Sequence, residues 1–424
     1  MYPRTLTNRI LSRFDSHEVV LLLGTRQTGK TTLSRLIAEN SVYPEAAVRY
    51  FDFEDKQFRQ LFNTATLASL KQIFRLEGIN SDLPNLLIFD EIQLLDDPSN
   101  LLKLLHDHFP GLKIVATGSS SLKIKTKFSD SLAGRKHVYR VEPLNFDEFL
   151  VFRGEERLLE LRKMIREGVA IETLGPIVEA GHDHFLSLFE EYLIFGGYPE
   201  VVLIGEKREK LQKLDSIAGS YIQKDIREVA NIENLIAYNN LLKYLALNIG
   251  SQFNLSSARE TIGISSVTLS KYLNLLEETF IVEELPPFFT NRNKEISKSK
   301  KFYFKDTGIN NLFLQNFNSL DLRRDAGTLY ETYVFNTLSQ ERDLTSSLFF
   351  YRTQSKSEID FVMVQNEAYH LLEVKAGKSR KIPRAMIEFE KKYLGYLSIV
   401  SKRIINQSVY LETERAIFMP AYLL

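Results

Sequence analysis

The chain has 424 residues, 44% of them hydrophobic, and no cysteine. Its length allows two or three packed cores, and the lack of cysteine excludes disulfides and thiolate metal sites, so a reducing cytoplasm is the expected location. The first residues lack the apolar core of a secretory signal, and no uninterrupted apolar run approaches the roughly 20 residues that span a bilayer. Basic and acidic residues balance at 54 each, so any nucleic-acid contact must be local.

A phosphate-binding motif follows the first apolar run of the chain. Residues 19–23 predict a buried strand, residues 24–31 read G-x-x-x-x-G-K-T, and residues 32–38 have helical apolar spacing. This strand, loop and helix order points backbone N–H groups and a helix N-terminus at phosphates. Lys30 should reach the β and γ phosphates, and the Thr31 hydroxyl should bind Mg²⁺. The predicted ATP-binding residues of this loop are Gly24, Thr25, Arg26, Gln27, Thr28, Gly29, Lys30, Thr31 and Thr32.

A second apolar run supplies the acidic residues that such a loop requires. Residues 86–91 end in Asp90 and Glu91, which is the Walker B pattern. Asp90 should complete the Mg²⁺ shell, and Glu91 should act as the base that orients the attacking water.

A third apolar run, residues 113–120, predicts another buried strand with hydroxyls at its carboxyl end. Ligands of open α/β sheets collect at such strand ends, so Ser119 is placed beside the γ phosphate. An ordinary helix cap for residues 120–122 is an equal alternative.

Four further segments accompany the two Walker motifs, and together they make the chain resemble bacterial and archaeal AAA-type ATPases with a C-terminal restriction-endonuclease-like domain. The segments are residues 131–135, 143–149, 196–199 and 221–226. The resemblance implies that Arg135 senses the γ phosphate, in cis or across a subunit boundary. It also implies that Gly197, Tyr198 and Pro199 lie against the nucleotide in a helical lid. A surface arginine after a turn is the alternative for Arg135.

The middle of the chain has a helix-turn-helix pattern. In residues 255–273, Gly263 occupies the turn and Ser265 is the predicted N-cap of the second helix, while residues 279–285 would begin a wing. This pattern indicates a winged helix. The second helix carries one cation, Lys271, and ends in two glutamates, so base-specific reading is doubtful and a packing module is the alternative.

Three local basic stretches offer DNA contacts, mainly to backbone phosphates, although most charge runs are solvated faces. The basic residues are Lys123, Lys125 and Lys127; Arg292, Lys294, Lys298, Lys300, Lys301 and Lys305; and Lys378, Arg380, Lys381 and Arg384.

The C-terminal part contains two predicted antiparallel strands, residues 357–364 and 368–375. Because side chains alternate along a strand, Glu373 and Lys375 share one face, and Asp360 on the preceding strand can join them. This is the PD-(D/E)xK nuclease arrangement, in which two carboxylates bind a hard cation such as Mg²⁺ and the lysine positions or activates water.

An upstream helix predicted at residues 327–335 carries Glu331, where the family places a helical acid, so Glu331 is a further predicted metal ligand. The motif departs from the family pattern at Glu358, which stands where a proline-aspartate pair is expected, and this leaves Asp360 as the ligand. Ordinary surface ion pairs are the alternative for this cluster.

The resulting prediction is an α/β protein with a P-loop parallel sheet and helical lid at residues 1–230, a winged helix at 231–300 and a nuclease-like domain at 301–424. The predicted function is a Mg²⁺-dependent ATPase that acts on or is regulated by DNA and controls the C-terminal domain. One alternative is a switch whose nuclease-like domain binds DNA or protein without cleaving. Another is a signalling protein with protein partners alone. A homo-oligomer is compatible with each, and a membrane partner is not expected.

Overall fold

The computed structural model describes residues 1–119, 132–167, 171–220, 234–289, 298–353, 355, 357–366, 368–378, 381–393, 399–407 and 411–424. Several predictions from the sequence lie outside these residues. They are the helix cap at residues 120–122, the segment 221–226 and the basic residues at 123–127, 292–294 and 380.

The first 140 residues form a five-stranded parallel sheet in the order β2-β3-β4-β1-β5. The strands are β1 (Val19–Gly24), β2 (Val48–Asp52), β3 (Asn85–Asp90), β4 (Leu112–Ser119) and β5 (Lys136–Arg140), and the helices are α1 (Thr5–Leu11), α2 (Lys30–Glu39), α3 (Lys56–Asn63), α4 (Leu67–Leu76) and α5 (Pro98–His108). Every residue of β1, β3 and β4 is buried. A parallel sheet covered on both faces requires such continuous apolar strands. The three buried strands predicted from the sequence are confirmed.

Side-chain alternation divides the β1 residues between two apolar cores. Leu21 and Leu23 pack in one cluster with Phe51 and Phe89 of the neighbouring strands. Val20 and Leu22 point to the opposite face and pack in a second cluster. Both faces of the sheet are therefore filled, and the carboxyl edge is left to the polar residues that follow each strand.

A helical region, called the lid, follows the sheet, and a Gly-Gly-Tyr-Pro turn at residues 196–199 lies between its third and fourth helices. Its helices are α6 (Phe146–Phe152), α7 (Glu156–Arg166), α8 (Ile171–Phe195), α9 (Pro199–Leu203) and α10 (Lys207–Ser220). Asn145 and Glu148 form a reciprocal capping box at the start of α6. The turn reverses the chain after α8 at Gly196, whose φ of 77° is one that glycine adopts without strain.

Three helices and a two-stranded hairpin come next: α11 (Leu235–Leu247), α12 (Leu255–Ile262), α13 (Ser266–Glu278), β6 (Val282–Leu285) and β7 (Lys301–Phe304). Gly263 ends α12 with φ 77°, and the Ser265 hydroxyl caps α13 by accepting the Thr268 N–H at 3.1 Å. The helix-turn-helix geometry is confirmed at these positions. The winged-helix interpretation stays a prediction. β7 pairs with β6 in this hairpin, although the sequence boundary at residue 301 assigned it to the C-terminal domain.

The C-terminal sheet has six strands in the order β12-β13-β11-β10-β9-β8. After α14 (Thr307–Leu314) and α15 (Ala326–Glu341) come β8 (Ser346–Arg352), β9 (Glu358–Gln365), β10 (Ala368–Val374), α16 (Arg384–Tyr393), β11 (Ile399–Asn406), β12 (Leu411–Glu412) and β13 (Ile417–Pro420). β9 and β10 pair antiparallel, as the sequence predicted. Helices α15 and α16 pack in separate apolar clusters with residues of these strands.

One apolar cluster extends from Leu144 in the lid to Leu424 at the end of the chain. It contains side chains of the lid, of helices α11 and α13, of the hairpin and of α15. The lid and the C-terminal half therefore share a core. Across the described part of the chain, no helix has both the length and the apolar character needed to cross a bilayer.

Asp306 joins the lid turn to the C-terminal half. One carboxylate oxygen accepts the Gly197 N–H at 2.7 Å, and the other accepts the Ile309 N–H at 2.9 Å, which caps α14. The side chain is buried, and a Cβ at Gly196 would approach Asp306 Oδ1 to 2.2 Å. Glycine is required at position 196 by both its φ and this contact. Burial raises the pKa of Asp306 to about 6.

We expect Asp306 to make stability fall as the pH rises from about 4 to 6. Its pKa in the folded chain exceeds the usual value of 3.8, so the folded state holds the proton longer than the unfolded state. The ionised folded form is therefore penalised above pH 6, by about 3 kcal/mol at 1.36 kcal/mol per pKa unit. Denaturant unfolding at several pH values should show this slope in the wild type and a flatter one in Asp306→Asn. Parallel curves for the two proteins would contradict the assignment.

Candidate functional site

The phosphate-binding loop lies between the carboxyl end of β1 and the first turn of α2. Gly29 has φ 87°, and α2 begins at Lys30. The Lys30 ammonium turns back onto the loop and donates to the carbonyl oxygens of Gly24 at 3.1 Å and Thr25 at 2.8 Å. The loop thus encloses a cation and presents a helix N-terminus, which is the arrangement that binds phosphate.

The Asp90 carboxylate accepts hydrogen bonds from three hydroxyls. Thr31 Oγ1 donates to Asp90 Oδ2 at 2.8 Å, and the hydroxyls of Tyr50 and Thr117 donate to the same carboxylate. Burial and the neighbouring Asp90 raise the pKa of Tyr50, so its hydroxyl keeps the proton that it donates. Asp90 and Thr31 are therefore brought together as the sequence predicted. Tyr50 and Thr117 were missed because they come from other strands.

Glu91 has a left-handed backbone with φ 53°, a conformation that is uncommon for a non-glycine residue. The Glu91 N–H donates to Thr117 Oγ1 at 3.1 Å, and the Gln93 side chain donates to the Glu91 carboxylate. Gln93 also accepts the Ser119 N–H at 3.3 Å. Gln93 thus holds the predicted base next to the end of β4, a role that no sequence pattern indicated.

Ser119 is buried and pairs with Gly24 in the register between β4 and β1. This position puts Ser119 beside the start of the phosphate-binding loop. The helix that it would otherwise cap lies outside the described residues.

The lid turn packs against the same loop. The Tyr198 hydroxyl lies 3.2 Å from Thr25 Oγ1, and a Cβ at Gly29 would lie 3.9 Å from Pro199 Cγ. Gly197 precedes Tyr198 in the chain, and its carbonyl accepts the Leu144 N–H at 2.7 Å. The structure therefore places Tyr198 and Pro199 at the loop, with Gly197 supporting them.

Arg4 also contacts the loop, and the sequence gave no signal for it. Its Nη1 donates to the Thr28 carbonyl at 3.0 Å, although Arg4 precedes the motif by 20 residues. A terminal arginine without a motif looks like a solvated charge, so only the folded structure identifies this contact.

Arg135 lies at the opposite end of β1 from the loop. The Val19 N–H donates to the Arg135 carbonyl at 2.9 Å, whereas the phosphate-binding loop begins after Gly24. Five residue-to-residue steps along β1 separate its two ends, a distance of roughly 17 Å. The Arg135 side chain pairs with Asp107 at 2.7 Å. In this conformation Arg135 points to Asp107 rather than to its own loop, and its action in cis or in trans stays a prediction.

Two carboxylates meet on the hairpin of β9 and β10. Asp360 Oδ2 accepts the Val374 N–H at 2.8 Å, and Lys375 pairs with Glu373 Oε1 at 2.5 Å. The other Glu373 oxygen is buried and has no hydrogen-bond partner. Burial, followed by the charges of Glu331 and Glu373, raises the pKa of Asp360 well above its usual value.

Glu331 is held by other residues next to this pair. Its Oε1 accepts from the Tyr303 hydroxyl at 2.5 Å and from Lys301 Nζ at 3.2 Å. Within the described residues, no group of three His, Cys, Asp or Glu side chains is arranged to hold a metal ion. Glu331 lies close enough to Asp360 for its charge to raise the pKa of that carboxyl, and its role as a third ligand stays a prediction. Asp360, Glu373 and Lys375 come together as predicted.

Three family models match separate parts of the chain. Residues 16–150 match a family model described as AAA domain. Residues 186–320 and 326–422 match two models, each described as a domain of unknown function.

Similar curated proteins are uncharacterized. One from Methanocaldococcus jannaschii is 26% identical over 359 residues and covers 82% of this chain and 72% of the relative. Another from Mycobacterium tuberculosis is 25% identical over 372 residues, with 87% and 72% covered.

Among solved structures, a Walker-type ATPase of Pyrococcus abyssi is 16% identical with a TM-score of 0.46, covering 74% of this chain and 96% of that one. Because of that low score, the assignment depends on the AAA match and on the loop, sheet and Asp90 geometry described above. These observations support an AAA-type P-loop ATPase domain in the first third of the chain.

Proposed function

We propose that this protein is a Mg²⁺-dependent ATPase whose nucleotide state controls a C-terminal domain that acts on DNA. The observation that carries the proposal is the Asp306 contact. Tyr198 and Pro199 lie against the phosphate-binding loop, and the neighbouring Gly197 N–H is bound by Asp306 at the start of α14. A movement of the loop on binding ATP would therefore reach the C-terminal half through one short turn.

The loop residues fit the chemistry of ATP hydrolysis. Lys30 would exchange its two carbonyl partners for the β and γ phosphates, and Glu91, held by Gln93, would orient water. The Thr31 hydroxyl and Asp90 carboxylate, 2.8 Å apart, would hold Mg²⁺. The ion would neutralise charge that develops on the phosphates.

Two substitutions separate binding from turnover. We expect Lys30→Ala to lower ATP hydrolysis about 100-fold or more, because the main cation at the phosphates is lost. Glu91→Gln should keep ATP affinity and lower turnover roughly 100-fold, because water is no longer activated. Lys71→Ala, an exposed change on α4, is the control. The measurements are phosphate release and equilibrium binding of ATP. Normal turnover in Glu91→Gln would reject Glu91 as the base.

Arg135 is proposed to act on the nucleotide of a neighbouring subunit. Its position at the far end of β1 puts it on a different edge of the domain from its own loop. Phosphoryl transfer needs cationic charge beyond Lys30, and an arginine supplied by a neighbour is one way to provide it.

Subunit mixing tests this role of Arg135. We expect Arg135→Ala and Lys30→Ala proteins to be inactive separately and to recover part of the ATPase activity when mixed, because mixed interfaces would pair an intact loop with an intact arginine. Asp107→Ala is a matched variant that removes the arginine's partner within the chain. No recovery on mixing, with oligomers present by light scattering, would reject action across the boundary.

The C-terminal carboxylates support a divalent-cation site. Asp360 and Glu373 face each other across paired strands, and a buried Glu373 oxygen lacks a partner that a cation would supply. Mg²⁺ binds through one or two carboxylates and retains several waters, so Glu331 is not required as a ligand. Lys375 lies next to Glu373, where it can position a water near a DNA phosphate.

DNA cleavage tests the C-terminal site separately from the ATPase. With Mg²⁺ and ATP, the wild type should cut single-stranded, duplex or branched DNA, and Asp360→Ala or Lys375→Ala should lower the cleavage rate by about 100-fold or more. ATP hydrolysis should be unchanged in both variants because the two sites are separate. Lys391→Ala, an exposed change on α16 outside the basic stretches, is the control. Equal cleavage by wild type and both variants would exclude this site as the nuclease.

A switch that binds DNA or protein without cleaving is the second proposal. It is favoured by the Lys301 ammonium and the Tyr303 hydroxyl, which already hydrogen-bond Glu331 next to the two hairpin carboxylates. DNA that stimulates ATP hydrolysis without being cut would favour this switch. ATP hydrolysis unaffected by any DNA would favour a protein partner.

A further inference from the structure

The Arg4 guanidinium joins three segments of the ATPase domain. Its Nη1 donates to the Thr28 carbonyl at 3.0 Å, its Nη2 donates to the Glu142 carbonyl at 2.9 Å, and its Nε pairs with Glu148 at 3.0 Å. Arg4 is buried, with 8% of its surface exposed. A buried arginine with each of its nitrogens bound is fixed in one orientation, so it holds the loop at Thr28 relative to the other two segments.

The Glu148 side chain is itself fixed. Its Oε1 also accepts from the Thr5 N–H at 2.8 Å and the Thr5 hydroxyl at 2.6 Å, while the Glu148 N–H donates to Asn145 at the start of α6. Glu148 is therefore fixed at the start of the lid. The Arg4 guanidinium is held by this carboxylate as well as by the loop carbonyl.

Glu142 continues the network toward the C-terminal half. Its carboxylate pairs with Lys305 at 3.0 Å, and Lys305 also pairs with Glu283 of β6 at 2.8 Å and donates to Ser339 of α15 at 3.3 Å. Lys305 is buried and pairs with Glu142, which precedes the lid, and with Glu283 of the hairpin. Burial opposes ionisation of Glu283, but Lys305 and Arg342 outweigh it and lower its pKa to about 2.

We propose that Arg4 positions the phosphate-binding loop for ATP and connects it, through Glu142 and Lys305, to the C-terminal half. Arg4 is a positioning residue, since it contacts the loop backbone rather than the reacting atoms. The link reaches the loop through Arg4, whereas the neighbouring Asp306 reaches it through the lid turn. The inference extends the ATPase proposed above by naming a residue that sets its affinity for nucleotide.

A lysine at position 4 would retain the charge but not the geometry. One ammonium cannot reach the Glu148 carboxylate and two separate carbonyls in the directions that a planar guanidinium provides. Arg4→Lys is therefore the conservative variant, since it keeps a cation beside the buried Glu148.

Equilibrium binding of a fluorescent ATP analogue, which requires neither hydrolysis nor DNA, tests the positioning role. We expect Arg4→Ala to raise the Kd for ATP about tenfold, from the loss of one charge-assisted bond to the loop, and Arg4→Lys to give an intermediate Kd. Turnover at saturating ATP should change less than twofold, because loop order affects the bound ground state and the transition state alike. Arg9→Ala, a change at an exposed arginine on the helix that follows Arg4, should match the wild type.

A merely structural role would change the melting temperature without this separation of Kd and turnover. Thermal unfolding of each variant identifies that case. An unchanged Kd in folded Arg4→Ala, or a loss of turnover at unchanged Kd, would overturn the positioning role.

A double-mutant cycle tests the connection to the C-terminal half. Lys305→Met should raise the Kd for ATP several-fold even though Lys305 touches no loop residue, and the double variant with Arg4→Ala should be no weaker than Arg4→Ala alone. Effects that multiply would overturn the connection. Wild-type protein that fails to bind ATP would refute the proposed ATPase itself, whereas normal binding with an indifferent Arg4→Ala would refute this inference alone.

Discussion

Buried backbone groups at the end of α8 and in the lid turn that follows it have hydrogen-bond partners from outside the lid. The Asn311 side chain of α14 donates to the carbonyls of Leu193 and Ile194, and Asp306 accepts the Gly197 N–H. An unpaired buried peptide group costs about as much as a lost hydrogen bond. The backbone groups at the end of α8 therefore have their hydrogen-bond partners only when the C-terminal half is folded against this helix. The close approach of Gly308 to the Phe195 carbonyl depends on the same packing.

This constraint explains why the lid and the C-terminal half share a core. The parallel sheet has its own two apolar cores, whereas the lid, the three-helix region and one face of the C-terminal sheet share another, and the opposite face of that sheet packs with α16 in a separate cluster. The phosphate-binding loop lies at the boundary between the parallel sheet and the lid, because the loop follows β1 and Tyr198 and Pro199 of the lid turn pack on it.

Local patterns were sufficient for the three central strands of the parallel sheet, the phosphate-binding loop, the Asp90–Glu91 pair and the hairpin that carries Asp360. Each of these depends on residues that are close in sequence, where spacing alone determines which side chains share a face. Contacts between distant segments could not be predicted: Arg4 and Glu142 are 138 positions apart, and Gly197 and Asp306 are 109. The same limit applies to Glu331, whose position relative to the metal-site prediction depends on Tyr303 and Lys301 in a strand outside the motif.

The three hydroxyls around Asp90 have a consequence for how the site is maintained. Tyr50, Thr31 and Thr117 solvate the carboxylate with dipoles drawn from two other strands and a helix. A buried charge surrounded in this way keeps its place without needing a counterion. The Asp90 oxygens are consequently preorganised. In the proposed magnesium site, the cation would take the place of hydroxyl hydrogen bonds on these oxygens, and the fold would need little rearrangement.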